Sequence, residues 1–226
     1  MLAKRTEAAR ISGDFLATKA YASIKAAISS GEIEDRDRLY ANLIAKRLKM
    51  SRTPVREALQ RLMSEGLAEK RRDGIYVRSL SVKDVRSLEQ ANRALQGMAA
   101  ELAATEGNDR AMAKLERLMG RMEDCARRED HAGWKSVDQG IRRHLLEMSG
   151  NDWLAKLVVQ LEPLIGRVHD ISFRRPGRME RSTNEHRRIV DAVRSRDGKT
   201  AHEAMHAHLR VVEENIIEIL KTLGRL

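Results

Sequence analysis

Met50-Ser51-Arg52-Thr53-Pro54-Val55-Arg56-Glu57-Ala58-Leu59-Gln60-Arg61-Leu62-Met63-Ser64-Glu65-Gly66 has the spacing of a capped helix with one apolar and one basic face. Ser51 stands where an N-cap is needed. Pro54 falls in the first turn, where the missing N–H is not used, and Gly66 closes the far end. Val55, Leu59, Leu62 and Met63 recur at helical spacing and form one stripe. Arg52, Arg56 and Gln60 point elsewhere, with Ser51 and Thr53 at the tip. The solvent face therefore carries donors suited to phosphates and guanine edges. A plain surface helix also carries arginines, so the flanking sequence has to decide between the two readings.

Downstream, Leu67–Lys70 and Ile75–Arg78 read as two short strands joined through Arg71-Arg72-Asp73-Gly74, Asp-Gly being a strong hairpin signal. Upstream, a short helix contains Leu43, Ile44 and Leu48, with Lys49-Met50 as the turn. Before it, Leu16, Ala20, Ile24, Ala27 and Ile28 predict a first helix that ends at Ser29-Ser30-Gly31. Three helices closed by a basic-tipped hairpin make a winged helix-turn-helix over residues 16–78. Residues 1–15, polar and small, are expected to form a flexible arm.

Charge follows the same division. Residues 1–80 hold 17 Lys and Arg against 10 Asp and Glu, whereas residues 81–226 hold 26 against 23. The basic excess sits on the half with the candidate recognition helix, as expected for a partner that is a polyanion. No helix pairs a broad bulky apolar face with a lysine-rich flank, which argues against a membrane surface. Cys125 is the single cysteine, so no intrachain disulfide can form, and no long apolar run follows a basic start. A cytoplasmic protein without a membrane span is expected.

Ser79-Leu80-Ser81 links this unit to an all-helical remainder over 82–226, with Ser81 and Asp84 placed as a capping box. Helices are expected near 82–105, 109–129, 131–149, 151–173, 178–196 and 199–222. The breaks fall at Gly107-Asn108, Asp130, Gly150-Asn151, Arg175-Pro176-Gly177 and Asp197-Gly198. Short connections between six helices make an antiparallel bundle, so the fold class is mainly α. Met98, Met112, Met119 and Met122, with Trp134 and Trp153, are read as core or dimer packing.

The run Leu48-Lys49-Met50-Ser51-Arg52-Thr53-Pro54-Val55-Arg56-Glu57-Ala58-Leu59 resembles the recognition segment of GntR-family bacterial transcription regulators. The C-terminal half resembles their FCD subclass through Arg93-Ala94-Leu95, Asp138 with Ser149-Gly150-Asn151, Glu185-His186, and Met205 with His208-Leu209. The resemblance implies a homodimer on a palindromic operator, with a small carboxylic acid in the bundle relieving repression. It places DNA contacts at Ser51, Arg52, Thr53 and Arg56, and at Gly74 on the wing. Lys49 departs from the glycine common at that turn. If the turn needs a positive φ, the lysine costs on the order of 1 kcal/mol, and it can add a phosphate contact.

Many FCD domains hold a divalent metal on one aspartate and three histidines. Counting back from Gly150-Asn151, the resemblance puts the first of those histidines at position 142, which here is Arg142. Helical spacing independently turns Asp138 and Arg142 toward Ile141, Leu145 and Met148, His186 toward Ile189, Val190 and Val193, and His208 toward Met205, Leu209 and Val212. Polar groups sent into an apolar bundle need partners. Two accounts compete. In one, zinc or nickel is still held by Asp138, His186 and His208 with water, opposed by the nearby guanidinium. In the other, Arg142 replaces the cation, pairs with Asp138 and offers its fork to an effector carboxylate. Arg93 is a second candidate clamp, and His144, His202 and His206 are assigned to the surface. A metal-dependent hydrolase would need a general base and an oxyanion-stabilising loop, and neither is identifiable. An effector-independent architectural DNA-binding protein would need no polar cavity.

Overall fold

The computed structural model describes residues 2–172 and 177–222, in two compact units, Met1–Leu80 and Ser81–Leu226. In the first unit, α1 (Leu2–Ser30) buries Ala20, Tyr21, Ile24, Ala27 and Ile28 along one stripe. Helix α1 runs from Leu2 through the stretch where the sequence leads us to expect an arm at 1–15. Alanine, lysine, arginine and glutamate dominate this stretch, and such residues extend a helix even where nothing apolar requires it.

Helices α2 (Ala41–Leu48) and α3 (Arg52–Ser64) follow, and α3 buries Val55, Ala58, Leu59 and Leu62. Gly66 has φ +72°, the left-handed closure that its position after α3 requires. Strands β1 (Ala68–Arg71) and β2 (Gly74–Val77) pair antiparallel with Arg71 opposite Gly74. The two-residue loop is therefore Arg72-Asp73, shifted by one from the Asp-Gly expectation. Residues 36–39 add a third rung. Val77 N–H donates to the Asp37 carbonyl at 2.9 Å and Leu39 N–H to that of Ile75 at 2.8 Å. In sequence this run is mostly charged, and its rung is made by backbone bonds.

The second unit contains α4 (Val82–Glu106), α5 (Asp109–Arg127), α6 (His131–Met148), α7 (Asp152–Ser172), α8 (Arg178–Arg194) and α9 (Gly198–Thr222). Each lies within two residues of its predicted bounds. Of the predicted breaks, Arg175 and Pro176 lie outside the described residues. The Ser81–Asp84 capping box is formed: Ser81 N–H donates to Asp84 Oδ2 at 3.0 Å, and Asp84 N–H to Ser81 Oγ at 3.1 Å. Ala99, Ala100, Ala103 and Ala104 are fully buried. A helix faced with such small side chains permits close interaxial packing. Leu115, Met119, Met122, Trp134, Ile141, Leu145, Ile189 and Met205 fill the core around them. Met98 and Trp153 remain exposed.

His144 is also a correction, being buried rather than on the surface. Its Nε2 lies 2.9 Å from the Ala111 carbonyl and its Nδ1 2.9 Å from Glu147. Packing of α5 widens the covered face of α6 beyond the apolar stripe, and each ring nitrogen faces one of these two oxygens.

Candidate functional site

The exposed face of α3 is built by its own entry turn. Lys49 ends α2 in the left-handed region at φ 54°, ψ 43°, so the conformation usually given to glycine is carried here by a lysine. Ser51 occupies the N-cap with extended backbone, but its side chain makes no capping bond. Ser51, Arg52, Thr53 and Arg56 are exposed, and among the described residues neither arginine is in an ion pair. Arg61, one turn further, is engaged over the Tyr21 ring at 3.9 Å and with Glu65 at 2.9 Å.

Gly74 opens β2 for a steric reason. A Cβ there would stand 2.6 Å from Arg38 Nε. Arg38 crosses the hairpin between the Tyr40 and Tyr76 rings and pairs with Asp73 at 3.1 Å. Gly74 is therefore where the arginine passes.

Inside the second unit a chain of charges runs across three helices. Arg142 Nη2 on α6 donates to Asp138 Oδ2 at 2.8 Å, and His186 Nε2 on α8 lies 3.0 Å from Asp138 Oδ1. His186 Nδ1 donates to the Ser182 carbonyl at 2.8 Å, and its ring meets that of His208 on α9 with centroids 4.5 Å apart. His208 Nδ1 is 2.6 Å from Glu185 Oε2. Glu185 accepts both arms of the Arg178 fork at 2.9 Å, and Arg178 is 2% exposed. Trp134 packs edge-on to His186 and donates to Thr183 Oγ1 at 2.8 Å.

Four of the five predicted bundle-site residues, Asp138, Arg142, His186 and His208, are thus brought together. Arg93 is not; it pairs with Glu213 on α9.

The FCD domain family matches residues 87–211, more than half of the chain, and bacterial regulatory proteins of the gntR family match residues 16–77. The chain belongs to the GntR family, with an FCD domain.

An uncharacterized HTH-type transcriptional regulator, YdhC of Bacillus subtilis (strain 168), is 26% identical over 89% of this chain and 91% of its own. The HTH-type transcriptional repressor RspR of Escherichia coli (strain K12) is 25% identical over 78% of each chain. The solved structure of E. coli McbR/YncC covers 92% of this chain and 98% of its own, with a TM-score of 0.73 at 20% identity, and so shares the fold. This GntR/FCD protein is a transcriptional regulator with a DNA-binding helix-turn-helix and is not an enzyme. None of its described helices is long and apolar enough to cross a membrane.

The donor set of this FCD domain does not suit the metal that its family implies. Both Asp138 oxygens are taken, one by the Arg142 guanidinium, and His208 Nδ1 is taken by Glu185. A dication at Asp138 would face a fixed positive charge one helical turn away. Among the described residues, no group of three or more His, Cys, Asp or Glu side chains is arranged to hold a metal.

Electrostatics explain why the network is stable with acids in the interior. Burial pushes the Asp138 carboxyl up, but Arg142, then His186 and His208, outweigh it and hold it well below the usual range. Burial likewise opposes ionisation of Glu185, yet His208 and Arg178 bring it down to about 2. Burial and then His186 push His208 down to about 4, against the pull of Glu185.

Between the ordinary histidine value of about 6.5 and this lower one, the unfolded chain binds the extra proton. The stabilisation from neutral His208 is therefore full above pH 6.5 and is lost as the pH falls toward 4, on the order of 3 kcal/mol in all. Melting temperatures measured from pH 7.5 to 4.5 should fall across this window, and His208→Gln should flatten the fall. An unchanged slope in that variant would refute the assignment.

Sequence reasoning missed Arg178 as the partner of Glu185, and Gln96 and Asn92 as buried polar groups of α4. Asn92 and Gln96 stand four residues apart on the face of α4 that also carries Ala99, Ala100 and Ala103, a spacing that could have marked them as inward.

Proposed function

We propose that this regulator binds a palindromic operator as a homodimer, represses transcription there, and is released by a small carboxylate bound beside Arg142. The observation that carries the effector reading is a set of buried polar atoms without hydrogen-bond partners. Among the described residues, Arg142 Nε on α6 and Gln96 Oε1 on α4 are two such atoms, and they line one cavity. Interior polar atoms are almost always paired, so these two call for a polar guest.

Arg142 and Gln96 line a partly open cavity of about 50 Å³, with Gln139, Arg143, Glu162 and Ile165. Arg142 already spends one nitrogen on Asp138. Its Nε–H remains to bind an anionic oxygen, and Gln96 supplies an acceptor for a neighbouring hydroxyl or amine. Asp138, itself held by His186, keeps the guanidinium in place. Arg93, engaged by Glu213, is left out of this reading. An effector-independent architectural protein would have no use for such a cavity.

For the DNA end, Arg52 and Arg56 reach base edges, Ser51, Thr53 and Lys49 meet phosphates, and the wing enters beside them at Gly74. A second copy has a surface to meet, since Trp153 (74% exposed) and Leu157 (48% exposed) stand one turn apart on α7. Repression is supported by the name of the relative RspR.

The test is a thermal-shift screen of the full chain against organic acids, followed by gel-shift release from an operator selected from random DNA. One or more acids should raise the melting temperature and weaken operator binding, and Arg142→Met should lose both responses. Operator binding with no response to any acid would leave the DNA reading standing and sink the sensor reading.

A further inference from the structure

His202 and His206 lie one turn apart on α9, away from the Asp138 network, and their rings stack at 5.4 Å with an interplanar angle of 15°. Helix α4 builds the setting of His202. Gly97 leaves a slot in which the imidazole lies, and a Cβ there would stand 3.0 to 3.3 Å from its Cε1, Nε2 and Nδ1. One turn on, Glu101 Oε2 is 3.0 Å from His202 Nδ1. A carboxylate on Nδ1 fixes the tautomer with the proton there and leaves Nε2 with a bare lone pair. His206 then presents a second imidazole from the next turn. Two histidines at i and i+4 are the spacing by which a helix grips one metal ion.

We propose that His202 and His206 form a surface chelate for a divalent transition-metal ion, with water completing the shell and Glu101 as the outer partner of His202. At about 2.0–2.1 Å per metal–nitrogen bond, the two donor nitrogens must come within about 4 Å of each other. The lone pairs of parallel rings do not converge, so the exposed His206 ring must turn out of the stack to share an ion with His202. Arg93 and Arg210 are the cations near His206, and Arg93 is already neutralised by Glu213. The His202–Glu101 pairing orients the first ligand, so an ion here strengthens the hold of α9 on α4. Imidazole donors favour Cu2+ over Ni2+ and Zn2+ in that order of affinity.

The test uses the untagged full chain titrated with Cu2+, Ni2+ or Zn2+ alone, in competition with a chromophoric chelator, with melting temperature as a second readout. One equivalent should bind in the order given and raise the melting temperature. His206→Ala should abolish both effects, and Glu101→Ala should weaken binding about 10- to 100-fold. These positions are outside the DNA and effector sites, so operator affinity without metal should match the parent and certify folding. Binding that survives His206→Ala but is lost in His208→Gln would place the ion at the interior network and overturn the proposal. Absence of binding in the parent would overturn it as well.

Discussion

Arg178→Ala should destabilise the helical unit by about 3–5 kcal/mol, lowering its melting temperature by about 10 °C or more. The size follows from what the guanidinium does. Arg178 is buried, and without its fork the Glu185 carboxylate would keep only His208. Truncation leaves a partly buried carboxylate with half its partners and a void where the side chain lay. The comparison that isolates the charge effect is Arg178→Met with Glu185→Leu. Replacing both members by apolar groups of similar volume removes the uncompensated ion, so the double variant should recover a substantial part of the loss. Circular-dichroism melts of the three proteins at pH 7 are sufficient. A loss below about 1 kcal/mol for Arg178→Ala would mean that the pair is effectively solvated, as exposed ion pairs are.

At the DNA end, Arg52→Ala should lower affinity for a selected operator by about 1–3 kcal/mol while leaving affinity for random duplex nearly unchanged. Discrimination would then fall by roughly one to two orders of magnitude, because the contact proposed for Arg52 is to a base edge and not to a phosphate. Lys49→Ala supplies the contrast. It should weaken operator and random DNA alike and reduce the slope of log affinity against log salt by about one. Fluorescence anisotropy on both duplexes over a salt series separates the two patterns. Equal losses on both duplexes for Arg52→Ala would demote that residue to a backbone contact.

Much of this molecule was legible because its helices obey simple periodicity. Caps such as Ser81–Asp84 and glycines such as Gly107 and Gly198 set element bounds that the structure reproduces within two residues. Harder to read were features fixed by groups distant in sequence. Residues 36–39 join the wing through backbone bonds that leave no side-chain signature. The pairing of Arg178 with Glu185 spans seven residues of α8 and joins a charge network that reaches α6 and α9. Arg93 shows the opposite failure. It matches the family motif and faces inward in part, yet Glu213, 120 positions away, claims its charge. At the helix start, Ser51 has the right residue type and backbone for a cap, but its hydroxyl makes no capping bond.

The passage of Arg38 across Gly74 has a bearing on how such regulators can be recombined. A hairpin exchanged between relatives at residues 67–78 alone would meet an arginine shaped for a different turn. The exchangeable module is larger and discontinuous: residues 36–40 and the hairpin should travel together, since Arg38 passes over Gly74 against the rings of Tyr40 and Tyr76.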